Sequence, residues 1–342
     1  MTINFNNVFI KEVSAVASFD EKEGTFGKLY DKTYDDYYLG CKTFEQAEIK
    51  MLKDSVNVVL GKSGVKINEI DAVIGADLSN QGAVNSYASV DFNRPYLGLY
   101  NACASMCEEF IIGSSLLQNK PLKNVLLNVS SHNMTAERQF RNPVEYGCPK
   151  PKRSTFTVTG AASCILTTEK TNIKVTSVSI GTPTDLGVTD AYDMGSVMAP
   201  SAGRTIYEHF LETKTKVDDY DVILTGDLGV YGKDILKEYM KETYDIDLKN
   251  KLEDAASIIY DRKKQGHVKA GGSGPACLAL VTYTDIINRM KNKELSKVLL
   301  VATGALMSPT MNNQRLSIPS ISHAVCLEVV KWYFYIPFCF VV

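Results

Sequence analysis

The sequence lacks the features of several classes of protein. None of its eight cysteines forms a Cys-x-x-Cys pair, and the opening residues MTINFNNVFI contain neither the basic nor the apolar region of a signal peptide. We therefore expect free thiols in a reducing compartment and no signal peptide. The formal net charge is only -2 and no long basic run occurs, which argues against nucleic acid as a partner.

Long apolar runs are also scarce, except at the end of the chain. Residues Trp332 to Val342 read WYFYIPFCFVV, whereas a bilayer-spanning helix needs about twenty apolar residues. A spanning helix is therefore disfavoured. The alternatives are a buried last strand, an interfacial anchor that touches the membrane or a partner, or an abnormal chain end from an altered reading frame.

What the sequence does contain is an internal repeat. Residues 65–78, VKINEIDAVIGADL, match residues 215–228, TKVDDYDVILTGDL, and residues 119–131, NKPLKNVLLNVSS, match residues 292–304, NKELSKVLLVATG. Asp77 is thereby paired with Asp227. Two matches in the same order predict a duplicated body, which we divide into residues 1–170 and 171–342.

Each half shows the same alternation of strands and helices. Short, continuous apolar runs predict buried strands at 72–76, 125–129, 222–225 and 298–302. Between them, Thr43 and Gln46 have the spacing of a helix-capping box, and Met106, Phe110 and Leu117 fall on one side of a second helix. Such runs alternating with helices indicate a largely parallel sheet covered on both faces, an α/β fold.

The stretch NACASMCEEF, residues 101–110, poses the main chemical question. Cys103 lies where a small-residue segment becomes helical, and a helix N-terminus stabilises a thiolate and lowers its pKa. Cys107, one turn further, is interpreted as a small core residue. A metal clip needs further ligands, and the nearest histidine is His132.

Three other places carry polar side chains that could bind a ligand. A polar segment follows the strand at 125–129, and the carboxyl end of a strand is where α/β sheets bind ligands; the alternative is a solvated loop with internally paired charges. The glycine-rich segment 270–278 could approach a ligand closely or only permit tight packing. His323 could act as a general base near a thiol, or be structural. The residues concerned are His132, Asn133, Glu137, Arg138 and Arg141 in the first place and Ser273 in the second.

The motifs as a set resemble a known family. A duplicated α/β body with a cysteine heading a central helix resembles the thiolase superfamily. The segments GKLYDKTYDD, SSHNMTAERQFRNPVEYG, DVILTGDLG, AGGSGPACLALVTY and VATGALMSPTMNNQ are, more specifically, similar to the stage V sporulation protein AD family of endospore-forming bacteria. The resemblance runs from about residue 20 to about residue 328 and implies a layered α/β/α/β/α body of two duplicated halves.

The resemblance also implies a function. It suggests binding of dipicolinic acid, alone or with calcium, during uptake into the developing spore, together with membrane proteins of the same system. It places the protein peripherally at the inner membrane and implies a homodimer formed through the sheet edge of the first half. No other cofactor is implied, and no metal ligands are assigned.

Carried over to this sequence, the superfamily's nucleophile position falls on Cys103 and its late histidine on His323. The histidine is flanked here by Ser322 and Ala324 instead of glycine and proline, and no Gly-Asn-Ser/Thr motif can be placed. We therefore expect a binding pocket without catalysis; the alternative is a thiolase or ketoacyl synthase that uses Cys103 and His323. The predicted ligand-binding residues are Asp77, Cys103, His132, Asn133, Arg138, Asp227, Ser273 and His323.

Overall fold

The computed structural model describes residues 1–119, 121–141 and 147–330. The apolar tail Trp332 to Val342 lies outside the described residues, so the alternatives for it stay open. The strands are β1 Thr2–Asn4, β2 Phe9–Ala17, β3 Lys32–Thr33, β4 Ala72–Ala76, β5 Tyr96–Leu99, β6 Asn124–Ser131, β7 Phe156–Thr157, β8 Gly160–Thr167, β9 Ile173–Ser179, β10 Val222–Thr225, β11 Leu252–Asp254, β12 Gly272–Ser273, β13 Lys297–Ala305 and β14 Ser320–Val329.

The helices alternate with these strands. They are α1 Phe19–Lys22, α2 Phe44–Ser63, α3 Ala83–Phe92, α4 Ser105–Asn119, α5 Asn133–Phe140, α6 Met194–Thr213, α7 Gly229–Tyr244, α8 Ala255–Ile258, α9 Pro275–Val281, α10 Ile287–Lys291 and α11 Pro309–Asn313. A π-helical turn, Thr282–Ile286, joins α9 to α10. No helix in the described ranges combines the length and apolar character that a bilayer span requires.

The large sheet is symmetric about its centre. Its strand order is β11-β10-β13-β14-β9-β2-β8-β6-β4-β5, with β1 added to β9 and β3 to β2. On each side of the β9–β2 junction, where Phe9 pairs with Lys174, the strands succeed each other in the same chain order and with the same relative directions. The predicted division at residue 170 falls between β8 and β9 and stays a prediction.

The predicted strands are confirmed, but the predicted direction of the sheet is wrong. The outer strands of each side pair in parallel, β6–β4–β5 and β13–β10–β11. The inner strands β2, β8, β9 and β14 pair antiparallel with one another and with β6 and β13, and the short β3 runs parallel to β2. The sheet is therefore mixed, because a continuous apolar run reports burial on both faces and carries no information about strand direction.

Five layers result from the way the helices cover this sheet. Helix α4 packs on β4 and β6 of its own half and also on β13 and β14 of the other half, so it lies between the two inner faces. Helices α2 and α3 cover the outer face of the first half, and α6 and α7 that of the second. Successive strand residues accordingly enter different cores: Ile74 faces the central core and Val73 the outer one.

The starts of α2 and α4 determine where Thr43 and Cys103 lie. The Thr43 hydroxyl accepts a hydrogen bond from the Gln46 N–H at 3.3 Å, as predicted, but the Gln46 side chain turns to the Lys42 N–H instead of completing a capping box. Helix α4 buries Met106, Phe110 and Leu117. It begins only at Ser105, after a 3-10 turn, Ala102–Ala104, that carries Cys103.

Candidate functional site

A cavity of about 320 Å³ opens beside Cys103. It lies at the edge of the sheet where β13 ends and where α5 and α6 approach the turn before α4, the edge at which α/β sheets bind ligands. Its walls are mainly apolar, with few polar side chains. The apolar lining is Leu78, Tyr100, Ala102, Ala136, Phe140, Met194, Met198, Ala305, Leu306 and Met307, and the polar lining is Cys103, Glu137, Arg141, Thr155, Thr157, Ser273 and Ser308, with Gly274.

The turn that carries Cys103 is held by close contact with the other half of the molecule. A Cβ atom at Gly304, near the end of β13, would lie 3.0 Å from both the backbone nitrogen of Ala104 and the carbonyl oxygen of Asn101. Glycine at this position therefore lets β13 approach the turn. This close approach places Cys103 next to the second half of the molecule, so residues of both halves line the cavity.

The predicted thiolate at Cys103 is wrong. Burial raises the pKa of the Cys103 thiol well above its ordinary value, and the carboxyl group of Asp227 raises it further. The Gly274 N–H and the Arg141 guanidinium oppose this rise but do not cancel it. Sequence reasoning considered the helix end alone, whereas α4 begins two residues after Cys103 and a buried acid stands beside the thiol.

Asp227 is a buried carboxyl directly behind the cavity floor. Its Oδ2 accepts the Gly274 N–H at 2.9 Å, and its own N–H donates to the Thr303 hydroxyl at 3.1 Å. Its Oδ1 is buried and has no hydrogen-bond partner among the described residues. Burial raises the pKa of Asp227 well above its ordinary range.

His323 does not reach the cavity. Its Nδ1 accepts the Gly181 N–H at 3.1 Å, and its Nε2 lies 3.0 Å from the side-chain amide of Asn101. Burial lowers the pKa of His323 to about 4, so the ring is neutral. It is absent from the cavity lining and is joined through Asn101 to the turn that carries Cys103.

The structure corrects the predicted roles of His132 and Asn133, which do not line the cavity. The Nδ1 of His132 accepts the Met134 N–H at the start of α5, and its Nε2 donates to the Tyr37 carbonyl at 2.9 Å. Burial lowers the pKa of His132 to about 4, so the ring supplies no positive charge. Asn133 uses its side-chain amide on the Thr157 carbonyl at 3.3 Å. Both residues hold the loop in place.

Arg138 and Asp77 are likewise outside the cavity. Arg138 is exposed and forms an ion pair with Glu45. Asp77 accepts the N–H groups of Ser79 and Asn85, each at 2.8 Å, and so stabilises the turn into α3. In this structure the Asp77 carboxylate therefore contacts loop amides. Among the predicted residues the cavity thus gathers Cys103 and Ser273, with Asp227 directly behind.

The main charged groups on the cavity wall, Arg141 and Glu137, belong to the predicted polar segment but were not among the predicted ligand-binding residues. The Nη1 of Arg141 donates to Glu137 Oε1 at 2.8 Å and to the Thr155 carbonyl at 3.3 Å, and its side chain is 8% exposed. Lys150 Nζ also reaches Glu137 Oε1 at 2.8 Å. The side chain of Thr155 is buried, and its hydroxyl has no partner among the described residues.

The position of Arg141 explains why it was overlooked. It belongs to the same polar segment as Arg138, and helical spacing would put the two on one face. However, α5 ends at Phe140, and Arg141 leaves the helix with φ of -127°. Its guanidinium then lies 5.5 Å from the centre of the Tyr192 ring, within the range of a cation–π contact. In the sequence, only its residue type distinguished Arg141 as a possible ligand-binding residue.

No metal centre is formed by the described part of the chain. Nowhere in the three described ranges do three histidine, cysteine, aspartate or glutamate side chains come together as metal ligands. The cavity has instead the character of an anion site: a buried guanidinium and a hydroxyl without a partner among the described residues lie on a mainly apolar wall.

Comparison with known proteins gives both a family and a fold. The family model described as "Stage V sporulation protein AD (SpoVAD)" matches residues 1–328. A curated protein of that name from Bacillus subtilis (strain 168) is 42% identical over 322 residues, which cover 94% of this chain and 94% of the relative.

Solved structures with the same fold are condensing enzymes. The 3-oxoacyl-[acyl-carrier-protein] synthase III of Aquifex aeolicus VF5 superposes with a TM-score of 0.58 at 13% identity, covering 94% of this chain and 99% of that chain. A structure of Xanthomonas campestris OleA gives 0.60 at 12% identity, covering 94% and 99%. At such identities the likeness establishes the thiolase-like fold and nothing about the reaction.

Proposed function

Because the chain belongs to the stage V sporulation protein AD family, we propose that it binds dipicolinic acid, pyridine-2,6-dicarboxylate, in the Cys103 cavity for uptake into the developing spore, and does so without catalysis. The observation that carries the proposal is that the buried Arg141 guanidinium and the Thr155 hydroxyl, which has no partner among the described residues, both lie on the cavity wall. Together they are suited to a carboxylate.

The charge of the wall favours an anion. Glu137 is shared by Arg141 and Lys150, so this trio carries one net positive charge. Arg141 donates to Glu137 and Thr155 through Nη1, and in this proposal its other guanidinium nitrogens donate to a ligand carboxylate. The Ser273 hydroxyl, which makes no hydrogen bond to a described residue, lies on the same cavity wall for the second carboxylate.

The apolar part of the cavity suits an aromatic ring. Tyr100, Phe140, Met194 and Leu306 lie among the residues that line it, and flat apolar walls with a few polar groups are typical of small-molecule sites. Calcium, where it accompanies the ligand, would be held mainly by the ligand's own carboxylates, because the described residues provide no cluster of metal ligands.

Acyl transfer by Cys103 is the alternative function. The structural neighbours with this fold are condensing enzymes, and Cys103 lines the cavity. Against it stand the raised pKa of the thiol and the acid, rather than a base, beside it. An activated cysteine needs a lowered pKa or an adjacent general base.

The remaining parts of the proposal concern assembly and location. We propose a homodimer through the edge strand β5, because Tyr87, Val90 and Leu97 are exposed on this edge and on the adjoining α3. We also propose peripheral placement at the spore inner membrane with membrane proteins of the same system. Family membership is what supports that placement.

Calorimetric titration with dipicolinate, with and without calcium, tests the function. Saturable binding that Arg141→Met weakens and Arg138→Met leaves unchanged supports the proposal. A covalent acyl mass on Cys103 after incubation with a short acyl-CoA would favour the enzyme instead. Absence of both, with capture of membrane partners retained, would leave a scaffold without a working pocket.

A further inference from the structure

Three buried carboxyl groups lie behind the floor of the cavity; we refer to Asp227, Asp254 and Glu21 as the acid cluster. Asp227 accepts the Gly274 N–H, and Gly274 itself lines the cavity. Asp254 accepts the N–H groups of Leu228 and Gly229, the two residues that follow Asp227, at 3.1 and 2.9 Å. The acid cluster is thus joined to the cavity wall by backbone hydrogen bonds.

Glu21 completes the cluster from the first half of the molecule. Its Oε1 accepts hydrogen bonds from the Tyr260 hydroxyl and from the Thr159 N–H, and its Oε2 is buried without a partner among the described residues. The thiol of Cys277 lies among all three carboxyls, each of which raises its pKa in addition to burial.

The groups that face the acid cluster are acids, thiols and neutral donors. Asp227 is faced by Cys103, Cys277 and Asp254. Glu21 is faced by Tyr260 and Asp20, and the exposed His267 pairs with Asp20 at 3.0 Å. Arg141 is the cation that acts on the neighbouring Cys103. The side chains and amides facing Asp254 are Thr225, Leu228, Gly229 and Ser257.

Burial has a strong effect on the protonation of the acid cluster. It raises the pKa of Asp254 to about 7 and that of Glu21 to about 7, and it raises that of Asp227 well above its ordinary range. At neutral pH, Asp254 and Glu21 are therefore each about half protonated.

We propose that the acid cluster takes up a proton from solvent when an anion enters the Cys103 cavity, so that binding is tighter at lower pH. The inference rests on the proposed function, in that the cavity binds an anion. An anion seated against Cys103 and Gly274 adds negative potential immediately in front of the cluster. A carboxylate of Glu21 or Asp254 then binds a proton and becomes a neutral carboxylic acid, which relieves the repulsion.

The direction of the pH dependence follows from linkage. Where the complex holds more protons than the free protein, affinity falls as pH rises. That window begins near pH 7, where the free carboxyls titrate, and extends upward. His132 and His323 do not contribute there, because burial lowers their pKa values to about 4 and leaves them neutral on both sides of the window. Ligand carboxylates are ionised throughout.

The experiment is a titration of the full chain with dipicolinate at pH 7 in two buffers that differ in ionisation enthalpy. We expect the difference in heat to report uptake of roughly half to one proton per ligand, and Kd to weaken about threefold to tenfold between pH 7 and pH 8. Glu21→Gln should lower the number of protons taken up per ligand, because glutamine does not titrate. The glutamine carbonyl oxygen can keep both hydrogen bonds of Oε1, so the local structure is retained.

Glu48→Gln is the matched control. Glu48 is also buried, with its pKa raised to about 8, but it bonds to Ser130 and Thr135 under α2, on the outer side of the sheet. Two results would overturn the inference while leaving binding intact. One is equal binding heats in the two buffers, and the other is a proton uptake that Glu48→Gln removes but Glu21→Gln does not. Absence of any binding heat at pH 6 and 7 would instead refute the proposed function.

Discussion

The carboxyl group of Asp227 stands beside the thiol of Cys103 at the floor of the cavity, and the imidazole of His323 does not reach it. A nucleophilic thiol is activated when a base removes its proton or a positive field stabilises the thiolate. Here the neighbouring acid and burial both favour the protonated thiol. The cavity therefore contains a cysteine whose electrostatic surroundings oppose its use as a nucleophile.

This relationship predicts the reactivity of Cys103. In the wild-type protein at pH 7.5, the thiol should react with iodoacetamide at least about tenfold more slowly than a free thiol, because the thiolate is the reactive form. Asp227→Asn removes the acid and should accelerate labelling several-fold, while burial, the larger cause, remains. Peptide mass mapping separates Cys103 from Cys41 and Cys148, which are half-buried like Cys103 and serve as internal controls.

A labelling rate for Cys103 equal to that of a free thiol would contradict this account. So would an Asp227→Asn variant whose labelling is slower than wild type at unchanged thermal stability.

The second prediction concerns the cation on the cavity wall. Arg141→Met keeps the aliphatic bulk of the side chain and removes the guanidinium, so dipicolinate binding should weaken by about 1.5–3 kcal/mol, the range of a hydrogen bond to a charged group. Arg138→Met is the control, three residues away and equally charged, but exposed and paired with Glu45. Calorimetry on both variants measures the difference.

Equal losses in the Arg141 and Arg138 variants would show that overall charge, and not the cavity, determines affinity. Circular dichroism should accompany the titration, because Arg141 also bonds to Thr155 and Glu137 and its loss could loosen the segment.

The strands could be predicted from the sequence, whereas the direction of the sheet and most of the site could not. The runs at 72–76 and 298–302 identify buried strands because both of their faces are covered by helices. Residue spacing does not show that β8 and β14 enter antiparallel, nor that α5 ends one residue before Arg141. That ending directs Arg141 to the cavity and leaves Arg138 in solvent.

The two histidines His132 and His323 were predicted to bind a ligand for a related reason. His132 and His323 stand near strand ends, where ligands are often bound, but the same positions need hydrogen-bond acceptors for free backbone N–H groups. His132 accepts from Met134 and His323 from Gly181. These local bonds between ring nitrogens and backbone amides cannot be read from residue type.

A third prediction separates binding from stability at Thr155. Thr155→Val replaces a hydroxyl that is buried and unpartnered among the described residues with a methyl group of similar size. Removing an unsatisfied polar atom should leave the free energy of unfolding unchanged or raise it by about 1 kcal/mol. Dipicolinate binding should weaken by a similar amount, about fivefold, because a ligand carboxylate loses a donor.

Urea unfolding and calorimetry measure the two quantities on the same preparation. A variant that is less stable yet binds as wild type would mean that the hydroxyl serves the fold, contrary to its proposed contact with ligand.

The last prediction concerns stability and pH through Glu48. Burial raises the pKa of Glu48 to about 8 from an unfolded value of 4.5, so the native state holds a proton that the unfolded state releases above pH 4.5. The free energy of unfolding must then fall as pH rises from about 4.5 to 8, by an amount on the order of 3 kcal/mol for this residue. Glu48→Gln abolishes the titration while its carbonyl oxygen keeps the Ser130 hydrogen bond at 2.8 Å.

Relative to wild type, Glu48→Gln should therefore gain stability as pH rises from 5 to 8. Glu12→Gln is the control of opposite sign: although burial acts to raise the pKa of Glu12, hydrogen bonds from Lys291 and Val13 outweigh it, and the pKa is lowered. Its contribution is fully present above pH 4.5 and is lost as pH falls through the lowered folded pKa, so Glu12→Gln should be less stable than wild type at pH 7 and the difference should shrink on acidification below pH 4.5. Urea titrations at pH 4, 5, 7 and 8 test both directions, and a Glu48→Gln curve parallel to wild type would mean that the buried carboxyl does not titrate in this range.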